Sequence, residues 1–92
     1  MTRRCLFALG QVMSTPNALE LLTKKNIDLL ALLHRHQTGD WGDLNKIDRE
    51  ANEDALVTHS RILSSYLFGQ DKIWIITEAD RSLTTILLPQ DY

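Results

Sequence analysis

The sequence has a single cysteine, Cys5, so no internal disulfide can form. That excludes the covalent framework on which many small secreted domains rely and fits a reducing compartment. With no activating environment visible around it, Cys5 reads as an inert strand or arm residue. Only two prolines and four glycines are present, and no repeat, low-complexity tract or linker interrupts the chain. No apolar run approaches the ~20 residues needed to span a bilayer. The apolar stretch Cys5 to Leu9 is shorter than the ~7–15 residues of a signal-peptide core, so it reads as part of a first strand in a cytoplasmic protein. Excess positive charge is also missing. The net charge is −2 and the pI near 5.8, which argues against a chain built to coat phosphate backbones. The basic groups Arg3-Arg4, Lys24-Lys25 and His34-Arg35-His36 are scattered, and no aromatic row interleaves them.

What remains is enough for one domain. Ninety-two residues leave no room for a second core. The first strand is expected within Leu6 to Met13. Thr15 then caps a helix with Pro16 at its first position. Ala18, Leu19, Leu21 and Leu22 form its apolar side, Lys24-Lys25 complement its C-terminal dipole and Asn26 stops it. Asp28 caps a second helix carrying Leu29, Leu30, Leu32 and Leu33, with His34, Arg35 and His36 in its last turn. Gly39 ends it. Asn45 caps a third helix, where Ile47, Ala51 and Ala55, widened by Leu56, make the expected buried stripe.

The C-terminal third alternates as strands do. Arg61 to Phe68 is a strand, Gly69-Gln70-Asp71-Lys72 a hairpin turn, and Ile73 to Thr77 and Leu83 to Leu88 the final pair. The expected class is therefore α+β: an N-terminal strand, three short helices, then a three-stranded antiparallel meander. Trp74, Ile76 and Glu78 share one side of the sheet; Ile73, Ile75 and Thr77 share the other. Both sides are apolar, so a second cover, such as the partner chain of a homodimer, is expected.

Two charged turns are the candidate binding sites. The first is Asp40-Trp41-Gly42-Asp43. Its two carboxylates invite a divalent cation, yet supply fewer oxygens than Mg²⁺ or Ca²⁺ takes; the structural alternative has Asp43 helping to cap the third helix and Trp41 plugging the core. The second is Glu78, Asp80 and Arg81, which combine acid, base and anion-binding chemistry; the structural alternative is an exposed turn with Asp80 on its backbone and Arg81 paired to an acid. His34 and His36 stand two apart and point to different helix faces, so they do not share a metal. No histidine or cysteine spacing spells a zinc site. Ser60, Ser64 and Ser65 lack a nucleophile elbow. No cofactor is called for. Between Asp40 and Asp54, six acids face Lys46 and Arg49.

Several segments together resemble a known group. They are Thr15-Pro16 with Ala18-Leu19, Gly39-Asp40-Trp41-Gly42-Asp43-Leu44, Asn52 with Ala55-Leu56, Arg61 with Leu63-Ser64 and Tyr66, and Ile75 through Pro89 with Tyr92. The chain is similar from Leu9 onward to a family of small uncharacterised bacterial proteins that also occur on mobile elements such as plasmids. The resemblance implies a bacterial cytoplasmic setting and brings no catalytic residue with it.

The leading expectation is a non-enzymatic interaction module, an accessory protein acting on a host protein through its acidic loops. The alternative is a small metal-dependent or nucleotide-binding enzyme using Asp40, Asp43, Glu78, Asp80 and Arg81, which requires the two turns to meet. A DNA-binding accessory protein is the third reading.

Overall fold

The computed structural model describes residues 4–92; Arg3 of the Arg3-Arg4 pair lies outside them. The elements are β1 (Gln11–Ser14), α1 (Pro16–Lys24), α2 (Leu29–Gln37), α3 (Lys46–Thr58), β2 (Ile62–Phe68), β3 (Asp71–Thr77) and β4 (Leu83–Leu87), followed by a 3₁₀ turn over Pro89–Asp91. Each helix starts where a short polar side chain can take up a free N–H. Thr15 Oγ1 accepts from Ala18, Asp28 Oδ1 from Leu30 and Ala31, and Asn45 Oδ1 from Asp48. Asn26 takes the left-handed conformation (φ 53°) just beyond α1.

The sheet is not the three-stranded antiparallel meander that the local signals suggest. It has four strands in the order β1-β4-β3-β2, and it is mixed. β2, β3 and β4 pair antiparallel, while β1 lies parallel to β4 with Gln11 opposite Leu83 and Ser14 opposite Ile86. Hairpin signals reveal only neighbours in sequence, whereas β1 joins across the whole chain. Gly10 makes that junction: its φ is +66°, and a Cβ there would run into the Ser82 backbone. The strand also begins later than expected, at Gln11.

Alternation sorts the sheet into two unlike faces. Ile62, Ser64 and Tyr66 of β2, Ile73, Ile75 and Thr77 of β3, and Thr84 and Ile86 of β4 form the buried face. Ala18, Leu22, Leu32 and Leu33 of α1 and α2 pack in the same cluster. Trp41, Ala55 and Ile62 make a second cluster under α3. The opposite face carries Leu63, Trp74, Leu83 and Thr85, all half-buried, with Ile76 and Leu87 between them. At one point of this face the Tyr92 ring stands edge-on to Trp74 at 5.9 Å. No described helix is long and apolar enough to cross a membrane.

In α3 the buried residues are Asn52 and Ala55, with Leu56 half-buried; Ile47 and Ala51 of the expected stripe are exposed.

Candidate functional site

The two edges of the sheet have opposite fates. In β2, alternation turns the backbone of residues 63, 65 and 67 outward, and each outward N–H is taken. Leu63 N–H donates to Asn52 Oδ1 at 3.1 Å, and Asn52 Nδ2 donates back to Leu63 O at 2.7 Å. Ser65 N–H donates to Trp41 O at 3.1 Å, while Asp43 N–H donates to Ser65 O at 2.6 Å. Leu67 N–H donates to the Asp43 carboxylate at 2.8 Å. A side-chain amide, three residues of loop and a carboxylate together stand in for a fifth strand, which closes a template that would otherwise accept foreign chains.

The loop is built for that task. Gly42 (φ +76°) bridges Ser65 in parallel fashion, and a Cβ at Gly42 would strike the Ser65 carbonyl. Trp41 is 4% exposed; its Nε1–H donates to Glu53 at 2.8 Å and its ring stacks on Phe7. Asp40 pairs with Arg35 at 2.7 Å, which holds the guanidinium above its usual range through that hydrogen bond. The Asp40 carbonyl accepts the Tyr66 hydroxyl at 2.7 Å, and burial pushes that phenol up to about 12. Asp43 does not cap α3, because its carboxylate is on Leu67 and Asn45 holds the cap.

The second charged turn is also engaged internally. Asp80 Oδ1 accepts from both N–H and Oγ–H of Ser82, which lowers its pKa. Among the described residues Arg81 pairs with no acid. From a left-handed backbone (φ 61°) its guanidinium donates to Ser60 O at 2.6 Å, Ala55 O at 3.0 Å and Glu78 O at 3.1 Å. It thus brings positive charge to the C-terminus of α3, whose own last turn has no basic residue. Glu78 pairs with Arg61 at 3.4 Å, and Arg61 also donates to the Tyr92 hydroxyl.

The two turns share Phe7, whose ring stacks on Trp41 and lies under the Arg81 guanidinium, but their Asp43 and Glu78 carboxylates lie far apart. Asp43 is bonded to Leu67, near the end of β2, and Glu78 to Arg61, just before its start. Six residues of strand separate these anchors, about 20 Å. Among the described residues no group of three His, Cys, Asp or Glu side chains is placed to hold a metal ion. The shared acidic site that the enzyme reading requires is not assembled.

One constellation has no counterpart among the sequence motifs. His36 is fully buried, with Nδ1 2.6 Å from Ser64 Oγ and Nε2 2.9 Å from Thr77 Oγ1; Thr77 bonds Thr84 at 2.7 Å, and Thr84 donates to Leu9 O at 2.7 Å. Because the chain ends on a carbonyl, its direction follows from the donor count. Thr84 gives its proton to Leu9, Thr77 gives its own to Thr84, and His36 Nε2–H gives to Thr77. Nδ1 is then an acceptor for Ser64. Burial, with the Arg81 charge second, drives the imidazole down to about 3. A serine against a histidine resembles a nucleophile and its base. Here Ser64, His36, Thr77 and Thr84 are all enclosed, so the network orders the core and no substrate reaches it. The signal available in the sequence is modest: three hydroxyl residues on the buried alternation face, each needing a partner.

The other edge is β1, and it is open. Gln11 N–H donates to Ser82 O and Thr15 N–H to Ile86 O, so alternation turns the backbone of Val12 and Ser14 away from β4. Among the described residues those groups meet no other strand, since β1 ends the sheet. Val12 is 41% and Met13 51% exposed, and neither charge nor proline guards the strand.

Comparison with protein families, with curated proteins and with solved structures returned no match.

Proposed function

We propose that this chain is a non-enzymatic protein-interaction module that takes up a partner by strand addition at β1. The observation that carries the reading is the contrast between edges. β2 is shut at every outward N–H by Asn52, Trp41 and Asp43, while in β1 the outward backbone groups of Val12 and Ser14 meet no partner strand among the described residues and lie beside exposed apolar side chains. A fold that spends a loop on closing one edge and leaves the other apolar and uncharged has a use for the second. Backbone bonds would give such a site affinity, and the side chains flanking it specificity. The charged turns, engaged by internal bonds, serve as scaffold.

The test is retention of protein on the immobilised chain, offered bacterial lysate and, separately, a tagged second copy of the chain, with Val12→Pro as comparison. Proline at position 12 removes an outward N–H and no bond to β4. Retention by the natural chain and loss by the variant are expected. Equal retention by both overturns the site, and thermal stabilisation by Mg²⁺ or a nucleotide would support the enzyme reading instead.

A further inference from the structure

We infer that the strand which completes β1 is β1 of a second copy, so that two sheets join across a two-fold axis into one of eight strands. The inference rests on the interaction reading above and names the partner of that same edge.

The register follows from which groups point outward. A symmetric antiparallel pair centred on Met13 sets Val12 of each copy opposite Ser14 of the other. Both residues present N–H and C=O outward, so each pair exchanges two bonds, and the two-fold gives about four in all. Met13 then meets its own counterpart as a non-hydrogen-bonded pair, in which Cα atoms come within about 4.5 Å. Met13 lies opposite Thr85, so its side chain belongs to the face of Leu83, Thr85 and Trp74. Two such faces become continuous on pairing.

The side chains suit a copy of themselves. β1 is Gln-Val-Met-Ser, without a charge that would repel its like. Helix α1 follows at once and presents Leu19, 55% exposed, beside Pro16 in a shallow apolar depression of about 490 Å³. Glu20 and Lys24 stand one turn apart on this helix. A two-fold axis perpendicular to the sheet would run the two copies of α1 in opposite directions, so that where they approach Glu20 of one would face the opposite charge of Lys24 of the other. Four residues of edge alone fall short of the roughly 800 Å² per partner of a standard interface. Met13 on one face and Val12, Pro16 and Leu19 on the other supply the remainder, and the association expected is a weak, concentration-dependent dimer.

The experiment is sedimentation equilibrium of the purified full chain up to high micromolar concentration, with Val12→Pro and Met13→Lys alongside and far-ultraviolet circular dichroism to confirm that each folds. The natural chain should dimerise. Val12→Pro should weaken the dimer by removing edge bonds, and Met13→Lys by placing two like charges at the axis, each by about tenfold or more. A monomer throughout overturns the second copy, and the lysate experiment then decides separately whether the edge takes another protein. A dimer unmoved by both substitutions overturns the edge as its seat. Should one variant fail to fold, the dissociation constant of the other settles whether the edge is the seat.

Discussion

Asn52 treats Leu63 as a neighbouring strand would: its amide nitrogen donates to the Leu63 carbonyl and its oxygen accepts the Leu63 N–H. One buried side chain thereby satisfies both outward groups of an edge residue. Asn52→Ala should cost about 2–3 kcal/mol, because it loses two hydrogen bonds and strands the Leu63 groups. Asn52→Asp keeps the acceptor for Leu63 N–H but sets a carboxylate against the Leu63 carbonyl, and should be at least as harmful. Urea unfolding with an unchanged slope measures both. A loss below roughly 0.5 kcal/mol for Asn52→Ala would mean that water replaces the amide freely.

Arg81 makes a separable contribution to α3. Its side chain holds carbonyls of Ala55, Ser60 and Glu78, and its backbone is left-handed. Arg81→Ala loses the staple and keeps the strain, so about 2 kcal/mol of destabilisation is expected. Arg81→Gly loses the staple and relieves the strain, and should recover about 1 kcal/mol relative to alanine. Arg81→Lys cannot reach several carbonyls with one fork and should fall nearer alanine than the natural residue. Faster amide exchange at the end of α3 in all three variants identifies the staple as the cause.

Gly42 sits where the closing loop touches β2. Gly42→Ala drives a methyl group into the Ser65 carbonyl and demands a left-handed φ from alanine. The two effects together predict a loss of roughly 2–4 kcal/mol. The loop must withdraw, so the edge reopens and the variant should aggregate on standing, as measured by light scattering. A soluble variant of natural stability would show that the loop has room to shift.

The parts of this fold that are legible in the sequence share a short reach. Thr15, Asp28 and Asn45 cap helices through bonds to residues two or three positions on, and Asn26 turns by its own backbone preference. The hairpins and the split between Ile73, Ile75, Thr77 and Trp74, Ile76 follow from alternation. Position in the sheet is different. Nothing local distinguishes a strand that pairs with its neighbour from one like β1, which waits for β4 at the far end of the chain. The α3 stripe fails for a related reason: apolar periodicity selects Ile47, which is exposed, and passes over Asn52, which is buried because a distant strand needs its amide. The charged turns stand out in the sequence, and Asp80 and Asp40 do find local partners in Ser82 and Arg35, but what Asp43 and Arg81 do depends on partners more than ten residues away, namely Ser65, Leu67, Ala55 and Ser60. His36 is invisible for the same cause, since its environment is assembled from α2, β2, β3 and β4.

That environment makes stability depend on pH in a definite sense. His36 binds a proton at about 3 in the folded chain because burial, with Arg81 nearby, opposes its charge; in the unfolded chain it does so near 6.5. Between those values the unfolded state holds the extra proton, so acid favours unfolding. The contribution is fully present above pH 6.5 and is lost as pH falls toward 3. For one group the slope approaches about 1.4 kcal/mol per pH unit, which gives roughly 2 kcal/mol between pH 7 and pH 5, before most carboxylates titrate. Urea midpoints across that interval measure it. His36→Asn should lower stability at pH 7, because it disrupts the bonds to Ser64 and Thr77, and should flatten the profile between pH 7 and pH 5. A variant as steep as the natural chain would exclude His36 as the source of the slope.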